Sequence, residues 1–387
     1  MYKTMKSLSV LIVISVLAMV VVVSYVYVQY SGPVSNQTKP TKQQETDTWK
    51  EIQRQQLQIE QLNQKINRLH SKLNKQRAQP IPKQKQSQPS ALEEKQRQLF
   101  DSYNNIPVKV YANNYRDKTW TRVPELCQNL AGFQSTKLHT LSGVLDIYIH
   151  DPKKDIWVSG ALANGQIWES GLVNLILTTL KKEKDAAFLD IGANLGVYSL
   201  FAAKQGVNVI SIEPLMVNVQ RMCTSIRAGH LSDKMTIVRG ALSDMSENVT
   251  LGIDANNVGG SFVIQNQNEN KVKASHVEGQ HSDVVMSATL DDLLNLPDFN
   301  FSRVVIKMDV EGYEHKVVRG GVEFFDKVAV PTILMEWEFH KGAESGTEII
   351  KFFGSRNYIA YDPMENTFLD SKLSRSWPHE IVWRKKV

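Results

Sequence analysis

At 387 residues with a formal charge of +5, the chain has room for about two or three domains and is only mildly basic. No dense Lys/Arg block is interleaved with aromatics, which argues against a nucleic-acid partner. Two cysteines, Cys127 and Cys223, exclude a disulfide-rich scaffold and show no metal-type Cys/His spacing; one bridge in an oxidising lumen and two buried thiols both fit that count.

Residues 1–7 are expected to form a cytosolic tail carrying Lys3 and Lys6. Leu8 to Val28 is almost unbroken apolar sequence without charge, and about 20 residues suffice to cross a hydrocarbon core of roughly 30 Å. Segment 8–30 therefore reads as an uncleaved transmembrane signal anchor, longer than the roughly 7–15-residue core of a signal peptide. The next basic residue after it is Lys39, so the positive-inside rule predicts a single-pass type II protein with everything downstream in the lumen. Sequons at Asn36, Asn248 and Asn300 suit that side.

Residues 31–101 read as a luminal stem. Ile52, Ile59, Ile66 and Leu73 recur every seventh residue, with Leu62 and Leu69 between them. That seam predicts a short coiled coil over about 49–77 and hence a homodimer through the stem; the alternative is a single solvated helix. Pro80 and Pro82 end the helix. Residues 102–187 read as a lead-in to the catalytic domain, with a turn at Gly165–Glu169 and a helix over Leu172 to Leu180.

From 188 to 387, short buried strands alternate with helical patterns. Strands are predicted at Phe188–Ile191, Asn208–Ile212, Thr236–Arg239, Val304–Met308, Thr332–Met335, Tyr358–Ala360 and Glu380–Trp383. Helices are predicted over Ala193–Gln205, over Pro214–Gly229 and through Val317 and Val318. This alternation predicts an α/β, Rossmann-like domain with a mostly parallel sheet and helices on both faces. Gly252 to Ser287, polar and rich in Asn and Gln, reads as a long insertion without regular structure.

The sharpest local signal is Asp190-Ile-Gly192-Ala193-Asn194-Leu-Gly196, directly after a strand and opening a helix. Glycines there permit a tight turn and close approach to a ligand. Glu213 ends the next strand, a spacing suited to accepting hydrogen bonds from ribose hydroxyls. A dinucleotide site would prefer glycine where Asn194 and Tyr198 stand, so the turn suits an adenosine–amino-acid ligand better than a pyrophosphate.

In this order, Asp190–Gly196, Ile212-Glu-Pro214, Ala241-Leu-Ser-Asp244, Thr289-Leu-Asp-Asp292 and Lys307-Met-Asp-Val-Glu-Gly-Tyr-Glu314 resemble the FkbM family of class I methyltransferases. The resemblance spans about residues 155–385. It implies a seven-stranded sheet with an antiparallel last strand and S-adenosylmethionine as cofactor. It also implies that Asp190, Gly192, Asn194 and Gly196 contact the methionine end, that Glu213 holds the ribose and that the Ala241 backbone lies near the adenine, with Ala193 and Pro214 of the same motifs among the cofactor-binding residues. Glu169 is a further candidate for the cofactor's amino end.

Lys307, Asp309 and Glu311 alternate and so share one face if extended. Methyl transfer to a hydroxyl is helped by a base. Asp309 is the first candidate, with Glu336 and His340 further ones and Lys307 either a catalytic group or a partner of Glu311 or Glu314. A divalent metal, Mg or Mn, held by Asp309 and Glu336 is an alternative route to the same end. The layout is that of glycan-modifying enzymes of the Golgi membrane, with the endoplasmic reticulum as second choice, so the expected acceptor is a sugar hydroxyl of a glycoprotein glycan; that step is analogy. The alternatives are methylation of a small molecule or lipid at the membrane, and an inactive module that binds cofactor or glycan.

Overall fold

The structure, a computed structural model, describes residues 107–386 except 115–118, 129, 131, 255–256 and 264–283. The chain divides into two units, Met1–Gln88 and Pro89–Val387. The predicted tail, anchor, stem and coiled coil lie outside the described residues. Among the described residues, no helix is long and apolar enough to cross a membrane.

The lead-in holds strands β1 (Lys109–Asn114) and β2 (Thr119–Arg122), hairpin β3 (Gln134–Thr140) and β4 (Gly143–Ile149), and helices α1 (Val158–Ala163) and α2 (Ser170–Lys182). Next come β5 (Ala187–Ile191), α3 (Val197–Lys204), β6 (Val209–Glu213), α4 (Met216–Ala228) and β7 (Met235–Arg239). Strands β8 (Ala241–Ser243), β9 (Asn248–Asp254), β10 (Asn257–Val263) and β11 (Val284–Thr289) follow. The last part runs β12 (Val304–Met308), α5 (Glu314–Arg319), α6 (Val322–Lys327), β13 (Thr332–Glu336), α7 (Glu344–Ser355), β14 (Tyr358–Tyr361) and β15 (Glu380–Lys385).

The main sheet has nine strands in the order β14-β15-β13-β12-β5-β6-β7-β1-β2, not the expected seven. Strand β15 runs antiparallel between β13 and β14, as expected for the last strand. The two extra strands come from the lead-in: β1 pairs parallel with β7, Val110 opposite Ile237, and β2 pairs antiparallel with β1. The lead-in is thus part of the same sheet as residues 188–387, and no structural boundary falls at 187. The cause is non-local: Val108 and Val110 are fully buried, but their partner strand lies more than a hundred residues away, beyond any local pattern.

Strands β5, β6, β12 and β13 are buried along their whole length, as apolar strands covered on both faces must be. Phe188 joins a core with α2, α3 and α4, whereas Leu189 and Ile191 join one with α5, α6 and α7. Alternation along β5 thus sends successive side chains to opposite layers. Hairpin β3–β4 packs on the outer side of α4. Cys127 and Cys223 form a disulfide, Cα–Cα 5.5 Å, which joins the lead-in to α4 and resolves the pairing left open by the sequence.

The region expected to be an irregular insertion holds regular structure. Its ends form β9, β10 and β11, which with β8 make a four-stranded sheet of order β10-β9-β11-β8. Alternation is weak there because Gly252, Gly259 and Gly260 interrupt it. The Asn/Gln-rich centre lies outside the described residues.

Candidate active site

Strand order reverses between β5 and β12, and a crevice opens at such a switch point beyond the carboxyl ends of the strands. Here it is a cleft of about 890 Å³, open to solvent. Its walls include Gly192, Ala193 and Asn194 after β5, Glu213 and Pro214 after β6, and Ala241 on β8. Trp168, Tyr198 and Tyr313 supply its aromatic part, and Glu169, Lys307, Asp309 and Glu311 add charged groups.

The turn after β5 passes through left-handed backbone at Gly192 (φ 80°), Asn194 (φ 52°) and Gly196 (φ 80°). That conformation delays α3 to Val197, four residues past the expected start at Ala193. A Cβ on Gly192 would lie 1.8 Å from the main-chain oxygen of Asp309, so glycine is needed for two reasons at once. Asn194 tolerates the left-handed region by accepting from Leu195 N–H through Oδ1 at 2.7 Å. Its own N–H donates to Glu213 Oε2 at 2.7 Å. Glu213 Oε1 accepts from Leu215 N–H at 2.9 Å and from Asn218 Nδ2 at 3.1 Å.

Asp190 does not line the cleft. It is fully buried behind the wall, accepting from Ser199 Oγ at 2.6 Å, while its Oδ1 has no hydrogen-bond partner among the described residues. Burial pushes its carboxyl above the usual range, and Lys307 and Ser199 oppose that. Gly196 likewise faces inward, where a Cβ would meet Met222 Cγ at 2.8 Å.

Lys307 is the buried cation of the site. Its ammonium donates to Gly192 O at 2.9 Å, pairs with Asp309 Oδ2 at 3.1 Å and sits 5.6 Å from the Tyr198 ring centroid. The ammonium is thus held by Asp309 and the glycine turn, rather than serving as the expected partner of Glu311 or Glu314. Burial alone would lower its pKa, but the carboxylates of Asp309, Asp190 and Glu169 outweigh it and hold the ammonium charged. Glu169, itself at φ 52°, accepts from Tyr198 O–H at 2.7 Å. Burial raises its pKa, with Lys307 opposing and Asp309 adding to the rise.

Behind Asp309 lie more acids. Glu336 is 7% exposed and its Oε2 lacks a hydrogen-bond partner among the described residues. Its carboxyl is pushed up to about 11 by burial and by Asp309, Glu314, Glu311 and Glu380. Glu380 is pushed up to about 9 by burial, Asp309 and Glu169. His340, expected as a base, is 1% exposed and held by Glu314 Oε2 and Ser345 Oγ, each at 2.8 Å. Neither Glu336 nor His340 is among the residues lining the cleft, and both are buried. Asp309, Glu311 and Glu169 are the acids left facing it beside Glu213.

Sequence reasoning gave no role at the site to Tyr198 or Glu380, and named Glu314 only as a possible partner of Lys307. In the sequence Tyr198 is visible only as a residue that breaks a glycine pattern. Glu314 begins α5, and a carboxylate there accepting from Val310 N–H at 2.7 Å is visible as N-terminal helix chemistry. Glu380 sits opposite Glu336 across an antiparallel pair, a register no local pattern reveals.

A doubly wound sheet with β15, the last strand of the chain, reversed, and a glycine turn above a carboxylate-lined crevice, is the layout that the resemblance to class I methyltransferases implies. Residues 190–360, less than half of the chain, match the family model of the methyltransferase FkbM domain; this stretch is a methyltransferase domain. Precorrin-6y C5,15-methyltransferase from Geobacter metallireducens GS-15 is similar at 15% identity over 57% of this chain and 89% of that one, with a TM-score of 0.30. The bifunctional kinase-methyltransferase WbdD is similar at 12% identity over 56% and 39%, with a TM-score of 0.32. Such scores carry no inference about substrate. No curated protein matches the chain.

Glu213 supplies a pH test. Its carboxyl is raised to about 7, burial outweighing the hydrogen bonds from Leu215, Asn218 and Asn194. A raised acid costs nothing below its unfolded pKa of about 4.3, and its ionisation destabilises the fold progressively up to about 7. Glu213→Gln is therefore expected to raise the unfolding midpoint at pH 8, by the equivalent of roughly 3 kcal/mol, and to leave it nearly unchanged at pH 4.5. Thermal unfolding across that window checks it; an equal effect at both pH values would refute the assignment.

Proposed function

We propose that the chain is an S-adenosylmethionine-dependent O-methyltransferase of the secretory-pathway lumen, acting on a sugar hydroxyl of glycoprotein glycans. The observation that carries the chemistry is Asp309, held by Lys307, which is fixed in turn by the glycine turn on the other side of the crevice.

The residues present fit the cofactor. Gly192 lines the cleft and, packed against the Asp309 main chain, keeps the turn tight enough to bring its backbone to the ligand's side. Glu213 stands at the end of β6, where ribose hydroxyls need an acceptor. Ala241, Leu242 and Leu251 offer apolar surface for a base, and Glu169 offers negative charge for a cationic amino-acid end. When bound, the cofactor supplies a methyl group on a positively charged sulfur. Asp309 would take the proton that the acceptor hydroxyl loses as that hydroxyl oxygen accepts the methyl group. Lys307 fixes the direction of that carboxylate and so the near-attack geometry, about 3–3.5 Å between reacting atoms.

The compartment rests on separate supports. The apolar segment 8–30, flanked by Lys3 and Lys6, suits a single-pass type II anchor in the Golgi membrane, with the endoplasmic reticulum next in order. Asn248 and Asn300 of two sequons are exposed, and the Cys127–Cys223 disulfide suits an oxidising lumen. The stem would pair two copies.

The test is co-expression of the full chain with a secreted glycoprotein, followed by mass spectrometry of released glycans. Added methyl groups that vanish with Asp309→Asn are expected. Labelled methyl appearing only in lipids or small molecules, or nowhere, overturns the proposal in favour of the membrane-substrate enzyme or the inactive module.

A further inference from the structure

Beneath the cleft floor, one carboxylate oxygen each from Asp309, Glu314 and Glu336 lies within 4.8 Å of the others. Clustered acids are common and prove little alone. Two features set this cluster apart. Glu336 is 93% buried by its 7% exposure, and its Oε2 finds no hydrogen-bond donor among the described residues, although buried polar atoms almost always do. Glu314 is fully buried and pre-aimed, one oxygen accepting from Val310 N–H at 2.7 Å and the other meeting His340 Nε2 at 2.8 Å. His340 is in turn fixed by Ser345. Such outer bonds orient carboxylates that ligate metals and leave each oxygen a further lone pair.

The cofactor does not answer this need. Asp309 lines the cleft, but Glu314 and Glu336 do not, so a cationic donor bound there has no contact with them. Lys307 reaches only the Asp309 end, through Oδ2.

We propose that Asp309, Glu314 and Glu336 form a site for one hard divalent cation of the Mg, Mn or Ca class, joining the cleft to the buried acids behind it. Oxygen ligands at about 2.0–2.6 Å from a common ion are what these cations take, and water would fill the open positions. Asp309, with a side chain 31% exposed, gives the ion a face toward the acceptor, so the site deepens the methyl-transfer reading and would help a sugar hydroxyl lose its proton.

The experiment is a titration of the purified full-length chain with Mn²⁺ alone, without cofactor, followed by electron paramagnetic resonance of the free ion. The expected result is one bound Mn²⁺ per chain, displaced by excess Mg²⁺ or Ca²⁺, and a higher unfolding midpoint. Glu336→Gln, which keeps shape and removes charge, should weaken binding at least tenfold and abolish the midpoint shift; Glu314→Gln should do the same. Absence of binding at millimolar Mn²⁺, or wild-type affinity in both folded variants, overturns the site. Glycan methylation without Mn²⁺ binding would remove the site and keep the function; the reverse would do the opposite.

Discussion

Replacing Asp309 by Asn is expected to lower kcat for methyl transfer by about 10²–10⁴-fold while the affinity for S-adenosylmethionine stays within about threefold. Asn keeps the shape of the side chain and loses the ability to take a proton. Lys307 loses its 3.1 Å partner but keeps its bond to Gly192 O and the nearby charges of Asp190 and Glu169, so the turn that grips the cofactor should hold. The separation of kcat from cofactor affinity is the point of the measurement. It is read by single-turnover kinetics beside calorimetry with the cofactor alone. If a cation sits on the same carboxylate, its loss also falls on kcat, and the Mn²⁺ titration separates the two causes. Unchanged kcat would move the base to Glu311 or Glu169, which face the same cleft.

The donor side of the crevice was legible because its physics is local. A strand, a turn with glycines at fixed offsets and a carboxylate at the next strand end are all written within about thirty residues, and Asn194 N–H does meet Glu213 Oε2 at 2.7 Å. Asp190 shows the limit of that reasoning: the same motif places it at the site, but β5 alternation turns its side chain into the buried layer toward Ser199 and Ser211. The acceptor side was less legible because it is assembled by register. Glu336 faces Glu380 only through the β13–β15 pairing, and Glu169 reaches Tyr198 across a helix boundary. Likewise His340 looks like a base at a strand end until the 3-10 turn Glu338–His340 buries it. The edge strands β1 and β2 failed for the same reason, their pairing being set by a distant strand and not by their own alternation.

Gly192→Ala is expected to be the most damaging single substitution in the turn, lowering stability by about 3–5 kcal/mol and abolishing measurable cofactor binding. The added methyl carbon would stand 1.8 Å from Asp309 O, a main-chain atom that no rotamer change can move. The φ of 80° adds a left-handed penalty of roughly 1–2 kcal/mol for any L side chain. Relief requires parting β5 from β12, where Asp309 N–H donates to Ile191 O at 3.0 Å. That movement would also pull Gly192 O from Lys307 and so misplace Asp309. Gly196→Ala is the internal comparison. It carries the same φ of 80°, but its nearest obstacle is Met222 Cγ at 2.8 Å, part of a flexible side chain that can repack. The penalty at Gly196 should therefore be clearly smaller, with cofactor binding weakened and still measurable. Thermal unfolding and cofactor calorimetry on the pair decide the matter. Equal effects would mean that backbone strain alone governs the turn, and near-native behaviour of Gly192→Ala would mean that β5 and β12 do not approach as closely as the Lys307 bridge requires.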